Sequence, residues 1–269
     1  MEKYIILHKK VGETPLSCAE DYRQTHPDLI GVPMAYAGRL DPMASGKLLI
    51  LLGDECKNQT NYHGLDKEYE FSVLFGIESD SLDVLGRLSA GTKKTDGVTE
   101  EKISAVADKF VGSIELPYPK FSAKTVQGKP LHMWTLENRL DEIEIPTKQS
   151  TVYSLSLTKT ETLCREELVT QALTKVNSIP KVTDERKALG NDFRRVDVRN
   201  DWENIRNDSS LPNNFQIAHF SCLASSGTYM RTLASLIAHK VATVGLAWSI
   251  HRTKIGIFNA DSNTWKTEF

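Results

Sequence analysis

Asp41 is the residue of this chain whose neighbours best prepare it for chemistry. It lies in Gly38-Arg-Leu-Asp-Pro-Met-Ala-Ser-Gly46, a single carboxylate between two glycines and directly before a proline. Pro42 steers Asp41 away from helical dihedrals. Gly38 and Gly46 let the backbone bend tightly or approach a ligand closely. The apolar run Leu48–Leu52, closed by Gly53, reads as a buried strand that backs this loop. A carboxylate held in this way can serve as a nucleophile. On these residues alone, an ordinary Asp-Pro turn is the plainer reading. Asp80 and Asp83 make a second acidic pair in Ser79–Gly86, where short acidic side chains suit loop ordering better than paired acid–base work. The seven histidines and the four cysteines (Cys18, Cys56, Cys164 and Cys222) are scattered, with no Cys-x-x-Cys pair. That spacing predicts neither structural zinc nor disulfides.

The elements that must carry these residues alternate between strand and helix. Lys3–His8 reads as a strand. Thr14 and Pro15 start a helix as N-cap and first helical residue, with Leu16, Ala19 and Tyr22 on its apolar stripe. Within Lys67–Ile77, Tyr69, Phe71, Val73, Phe75 and Ile77 alternate with polar residues, which predicts a half-buried strand. Thr99 caps a helix with Glu100 and Glu101 in its first turn, and Ile103, Val106, Ala107, Phe110 and Val111 form its buried face. Gln127-Gly128 is a turn, Leu131–Arg139 a helix, and Thr151–Thr160 and Phe215–Ala224 are strands. A last helix follows, capped by Thr228, with Met230, Leu233, Ala234, Ile237 and Val241 inside.

Residues 161–214 are too many for an ordinary connection. Glu166–Val176 has helical periodicity. Lys181–Asp208 is charged in both signs and poor in large apolar residues, so it reads as an exposed insertion, with Arg194, Arg195 and Arg199 on a solvated face.

The 269 residues suffice for one large core. With 33 basic and 35 acidic residues the net charge is −2, which excludes a globally basic polyanion binder. Any nucleic-acid contact must use locally concentrated charge. The last fifty residues lean that way through Arg231, Lys240, Arg252, Lys254 and Lys266. The apolar run near the N-terminus, Tyr4–Leu7, is too short for a signal peptide or a membrane span, so reduced thiols and a cytoplasmic location are expected.

Taken together, Gly-Arg-Leu-Asp-Pro-Met-Ala-Ser-Gly-Lys-Leu and the following Leu-Leu-Gly-Asp-Glu-Cys-Lys resemble the signature of the TruB-type tRNA pseudouridine-55 synthases. The resemblance continues through five further stretches. They are Leu-His-Lys-Lys-Val-Gly-Glu-Thr near the start, Lys67-Glu-Tyr with Ser79–Gly86, Leu116–Leu131 with Phe121 in place of a tyrosine, Gly-Thr-Tyr-Met-Arg-Thr-Leu at 227–233, and Trp248–Phe258. It implies that Asp41 is the nucleophile, that Tyr69 stacks on the target base with its phenol placed for proton transfer, and that Arg231 pairs with the catalytic carboxylate. Tyr229 and Ile250 would wall the uridine pocket. Tyr36 stands where the family has a histidine that helps extrude the base, and Arg39 is closer to the sibling ribosomal-RNA enzymes.

The implied fold is α+β: a single catalytic domain over residues 1–269 with an insertion at about 161–214. Its sheet is mixed and largely antiparallel, flanked by helices, with a central active-site cleft. The implied activity is isomerisation of a uridine, U55 of the tRNA T-loop, by a monomer that needs no metal, organic cofactor, membrane or protein partner. Most bacterial members continue into a PUA-type RNA-binding domain for which these residues leave no room. A synthase acting on a different RNA, or a relative that binds or folds RNA without turnover, is the alternative.

Overall fold

The computed structural model describes residues 2–89, 97–180 and 194–269. The apolar run behind Asp41 extends further than its sequence predicts: strand β3 is Ala44–Leu52 and begins three residues after the carboxylate. Gly46 therefore lies inside a strand rather than closing a turn. Its φ is +111°, and a Cβ there would sit 2.2 Å from the Arg252 carbonyl oxygen, so only glycine admits the neighbouring strand. Ahead of β3 come β1 (Tyr4–Lys9), α1 (Pro15–Gln24) and β2 (Met34–Ala37). Helix α1 opens on the expected Thr14 cap, closed into a capping box by Ser17.

Strand β4 (Asp66–Phe75) corrects the half-buried expectation. Beyond Glu70 both of its faces are covered, and Ser72 and Leu74 are as buried as Phe71 and Val73. Helix α2 (Glu100–Asp108) carries the predicted Thr99 cap and buries Ile103, Val106 and Ala107. Val111, predicted to face inward, lies beyond the helix and is exposed. Next come β5 (Gly112–Pro117), the small hairpin of β6 (Thr125–Val126) and β7 (Lys129–Pro130) around Gln127-Gly128, and the short α3 (Leu131–Leu136). Strand β8 runs from Thr147 to Cys164.

Part of the segment read as an exposed insertion is core. Helices α4 (Arg165–Ser178) and α5 (Arg195–Asn207) pack together. Leu168, Val169 and Ala172 of α4, and Val198 and Trp202 of α5, reach the main hydrophobic core. Trp202 is fully buried, donates its indole N–H to the Val84 carbonyl and meets Trp248 edge-on. One large aromatic outweighs a charged composition when most of the charges face outward. Residues 181–193 of the expected insertion lie outside the described residues.

The chain closes with β9 (Asn214–Ala224), α6 (Met230–Lys240), β10 (Gly245–Asn259) and β11 (Thr264–Glu268). Thr228 does not cap α6. Its hydroxyl donates to the Ser225 carbonyl instead, and Tyr229 is the N-cap residue. The nine strands of the main sheet run β1-β3-β10-β4-β9-β8-β5, with β2 beside β3 and β11 beside β10. The pairings are antiparallel except for a short parallel one that sets Ile250 opposite Ala44. That single junction brings the chain's last long strand against the loop of Asp41. The architecture is α+β, with a mixed and mostly antiparallel sheet and helices against it. Among the described residues no helix is long and apolar enough to cross a membrane.

Candidate active site

Asp41 sits in the link between β2 and β3. Its carbonyl accepts from Ala44 N–H at 2.9 Å, and the Pro42 carbonyl accepts from Gly12 N–H at 2.8 Å, so the loop is tied at both of its bends. Lys9, fully buried in β1, donates to the Ala44 carbonyl at 2.5 Å and fixes the start of β3. Burial lowers the Lys9 pKa to about 8. The Asp41 side chain is 40% exposed and looks into a cleft of about 850 Å³.

Arg231 reaches it from the first turn of α6. Its Nε donates to Asp41 Oδ2 at 2.7 Å, its Nη1 to the Ser81 carbonyl at 2.8 Å and its Nη2 to the Phe121 carbonyl at 3.2 Å. The same Nε lies 3.6 Å from Asp83 Oδ2. Arg231 is therefore buried between two acids, one open to the cleft and one closed off. Burial alone would lower the Arg231 pKa, but the charges of Asp41 and Asp83 outweigh it and the guanidinium stays cationic. Asp83 is pushed the other way: its burial raises the carboxyl pKa against the pull of Arg231 and a hydrogen bond from Ser81. The Asp80/Asp83 pair does order its loop as predicted, since Asp83 also accepts from Leu85 N–H and Asp80 from Arg87 N–H. The proximity of Asp83 to Arg231 was not readable from its turn-like surroundings.

Tyr69 in β4 is 8% exposed, lies opposite Arg252 of β10 and lines the cleft beside Ile250, which is 5% exposed. Burial raises the Tyr69 phenol pKa, and the Arg252 charge with a hydrogen bond from it works in the opposite direction. Arg252 is fully buried and forms no ion pair among the described residues. It donates to the carbonyls of Lys47 at 2.7 Å, Gly38 at 3.2 Å and Arg39 at 3.5 Å. One guanidinium thus spans the Asp41 loop, strand β3 and the Tyr69 phenol. The basic lean of the last fifty residues marked Arg252 only as a surface charge; with Arg231 also buried, that lean is not an exposed patch.

The mouth of the cleft is aromatic. Tyr229 packs edge-on against Tyr118 with ring centroids 5.3 Å apart, and burial, then the neighbouring phenol, raises its pKa. Tyr36, partly exposed, has the Arg39 guanidinium 5.8 Å above its ring. Arg194 corrects the solvated-face reading. It lines the cleft, binds the Asp80 carboxylate and lies 4.4 Å from the centre of the Phe121 ring. Arg195 is also buried, donating to the Ile179 carbonyl, whereas Arg199 binds the Asn177 side chain near the surface.

All six residues singled out in the sequence, Tyr36, Asp41, Tyr69, Tyr229, Arg231 and Ile250, line this one cleft. Among the described residues no group of three or more His, Cys, Asp or Glu side chains is placed to hold a metal ion. The arrangement offers a carboxylate clamped by a cation, a phenol beside a second cation, and flat apolar walls. It suits polar chemistry on a planar ring.

The chain is 26% identical over 259 residues to the tRNA pseudouridine synthase B of Caldicellulosiruptor saccharolyticus, covering 96% of this chain and 69% of that one. It is 28% identical over 228 residues to the tRNA pseudouridine synthase 4 of Saccharomyces cerevisiae, covering 76% of this chain and 56% of that one. The chain thus spans between about half and seven tenths of the length of these relatives. Among solved structures, a Cbf5-Nop10-Gar1 complex contains a chain of like fold, with a TM-score of 0.50 at 15% identity over 94% of this chain and 49% of that one. Among family models, the description "TruB family pseudouridylate synthase (N terminal domain)" matches residues 32–175, more than half of the chain and the part that carries Asp41, Tyr69 and Asp83, so this protein belongs to the TruB family.

Proposed function

We propose that this protein isomerises a uridine of RNA to pseudouridine, and that the uridine is position 55 in the T-loop of tRNA. The observation that carries the reading is the 2.7 Å bond from Arg231 Nε to Asp41 Oδ2 at the wall of a cleft that also holds Tyr69. The names of the relatives, both tRNA pseudouridine synthases, support tRNA as the substrate.

The isomerisation breaks the bond between N1 and the ribose C1′ and forms one between C5 and C1′. The net proton change is loss from C5 and gain at N1, with no change of oxidation state. Such a base must first leave its stack. Asp41 is the nucleophilic carboxylate, aimed by Arg231. Asp83, closed off behind Arg231, is a positioning residue that holds the guanidinium from its far side. Tyr69 stacks on the extruded base; its phenol first gives up its own proton to water, the phenolate, stabilised by the Arg252 cation, takes the C5 proton, and N1 gains its proton from water. Tyr229 and Ile250 wall the pocket against water. Tyr36 with Arg39 at the mouth offers a flat, cationic surface to a neighbouring base. This pair also favours the second reading, a synthase whose RNA is not tRNA.

The two readings separate when the protein is incubated with total RNA from cells lacking it and new pseudouridines are mapped chemically. Modification at U55 of tRNA is the expected result. New sites only in ribosomal or other RNA would overturn the tRNA assignment, and none at all would overturn the isomerase.

A further inference from the structure

A second, more open groove of about 540 Å³ adjoins the cleft and shares Ser226 and Gly227 with it. Its floor is a fixed joint. Ser225 N–H donates to the Thr151 carbonyl at 2.8 Å, and Thr151 N–H donates back to Ser225 Oγ at 2.8 Å. Among the described residues, hydroxyl groups dominate its lining, no carboxylate lines it, and Lys148 brings its one lysine. Lys148 is exposed and enters none of the ion pairs among the described residues. Its stem lies across Gly227, where φ is +93° and a Cβ would come within 2.9 Å of Lys148 Cε. Ser150, 7% exposed, also lines the groove, and its hydroxyl has no hydrogen-bond partner. On the cleft side of the shared wall, the Lys67 ammonium lies 3.3 Å from Ser226 Oγ.

A cation, a buried donor left unused and the absence of acidic groups describe a site for a singly charged oxyanion rather than for a base edge or an apolar side chain. Its continuity with the cleft identifies that anion. A strand whose nucleotide occupies the cleft runs on over Ser226 and Gly227. We propose that this groove is a phosphodiester subsite, in which Lys148 and the Ser150 hydroxyl hold one backbone phosphate of the RNA whose uridine is presented to Asp41. The assignment rests on the RNA reading above, but it concerns binding and not the chemical step.

The test is fluorescence anisotropy of a labelled tRNA T-arm hairpin across a salt series. Lys148→Ala should weaken binding about five- to tenfold near 100 mM salt and flatten the salt slope by about 0.7 to 0.9, the signature of one lost phosphate contact. Lys148→Arg should restore both. Ser150→Ala should weaken binding without lowering the melting temperature, because it removes a hydroxyl that bonds nothing in the free protein. An unchanged salt slope in Lys148→Ala, or unchanged affinity in Ser150→Ala, would overturn the subsite. Because binding is read without turnover, a protein that bound this RNA but converted no uridine would sink the isomerase and leave this result standing.

Discussion

Two arginines are buried at the cleft, and the molecule holds them in opposite ways. Arg231 is wedged between two carboxylates, Asp41 and Asp83, with its other donors on the carbonyls of Ser81 and Phe121. Arg252 has no carboxylate; it donates to the carbonyls of Lys47, Gly38 and Arg39 and stands beside the Tyr69 phenol. The first arrangement spends its positive charge on holding an acid in place. The second keeps its charge in reserve for an anion that forms only during the reaction. A site that must manage a carboxylate and a phenol at one substrate needs both, because a carboxylate beside Arg252 would cancel its hold on the phenolate.

Removing the two cations breaks this comparison in different places. Arg231→Met leaves Asp83 buried with no opposite charge and Asp41 without its clamp. Unfolding by denaturant should show a loss of about 3–5 kcal/mol, as for other broken buried pairs, and turnover should be undetectable. Arg252→Met leaves carbonyls rather than an acid unpaired, so the expected loss of stability is smaller, about 1–3 kcal/mol. Its signature lies in the pH profile. Without the neighbouring cation the Tyr69 pKa rises further, so the rising limb of the kcat profile, set by the phenolate fraction, should move to higher pH. Turnover near neutrality should fall about tenfold for each unit of that move. A flat, unshifted profile would reduce Arg252 to a structural tie.

A half-buried lysine sharpens the contrast because it is remote from the chemistry. Lys175 of α4 lies 3.6 Å from the centre of the Trp248 ring and donates to the Trp248 carbonyl at 2.6 Å. Burial lowers its pKa from 10.5 to about 7. Between these values the unfolded chain binds the proton and the folded one does not, so stability rises with pH across that window and is poorest below about 7. Lys175→Met should flatten this dependence and raise the melting temperature at pH 6, with little change in kcat. Melting curves from pH 6 to 10 read it directly; a slope that survives in the variant would contradict the assignment.

The parts legible in the sequence were those set by local rules. The Thr14 and Thr99 caps, the Gln127-Gly128 hairpin and the strand at β4 each need only near neighbours, and each is present in the fold, although β4 is covered on both faces where alternation predicts one. The convergence of Asp41, Tyr69 and Arg231 was legible only through family resemblance. Asp41 and Arg231 are 190 positions apart, and no periodicity links them. What escaped was burial decided by tertiary partners. Trp202 sits in a charged stretch and Arg252 in a basic one, and their interior positions depend on Val84 and Trp248 in one case and on the Asp41 loop in the other. Asp83 reads as a turn residue because it is one; the arginine behind it comes from a helix 148 residues away in sequence. Gly46 reads as a turn glycine, yet it is the flat spot that lets β10 lie against β3.

The most direct measurement of the central claim is pseudouridine formation by Asp41→Asn on a tRNA transcript, with binding of the same RNA followed in parallel. Asparagine keeps the size and much of the hydrogen bonding of the aspartate and removes only its charge and nucleophilicity. The account predicts no detectable pseudouridine at position 55 and RNA affinity within about threefold of the parent, because Asp41 is one side chain in a cleft whose affinity comes mainly from other contacts. Turnover at the parent rate would contradict it, since the carboxylate that Arg231 is built to hold would then have no part in the reaction.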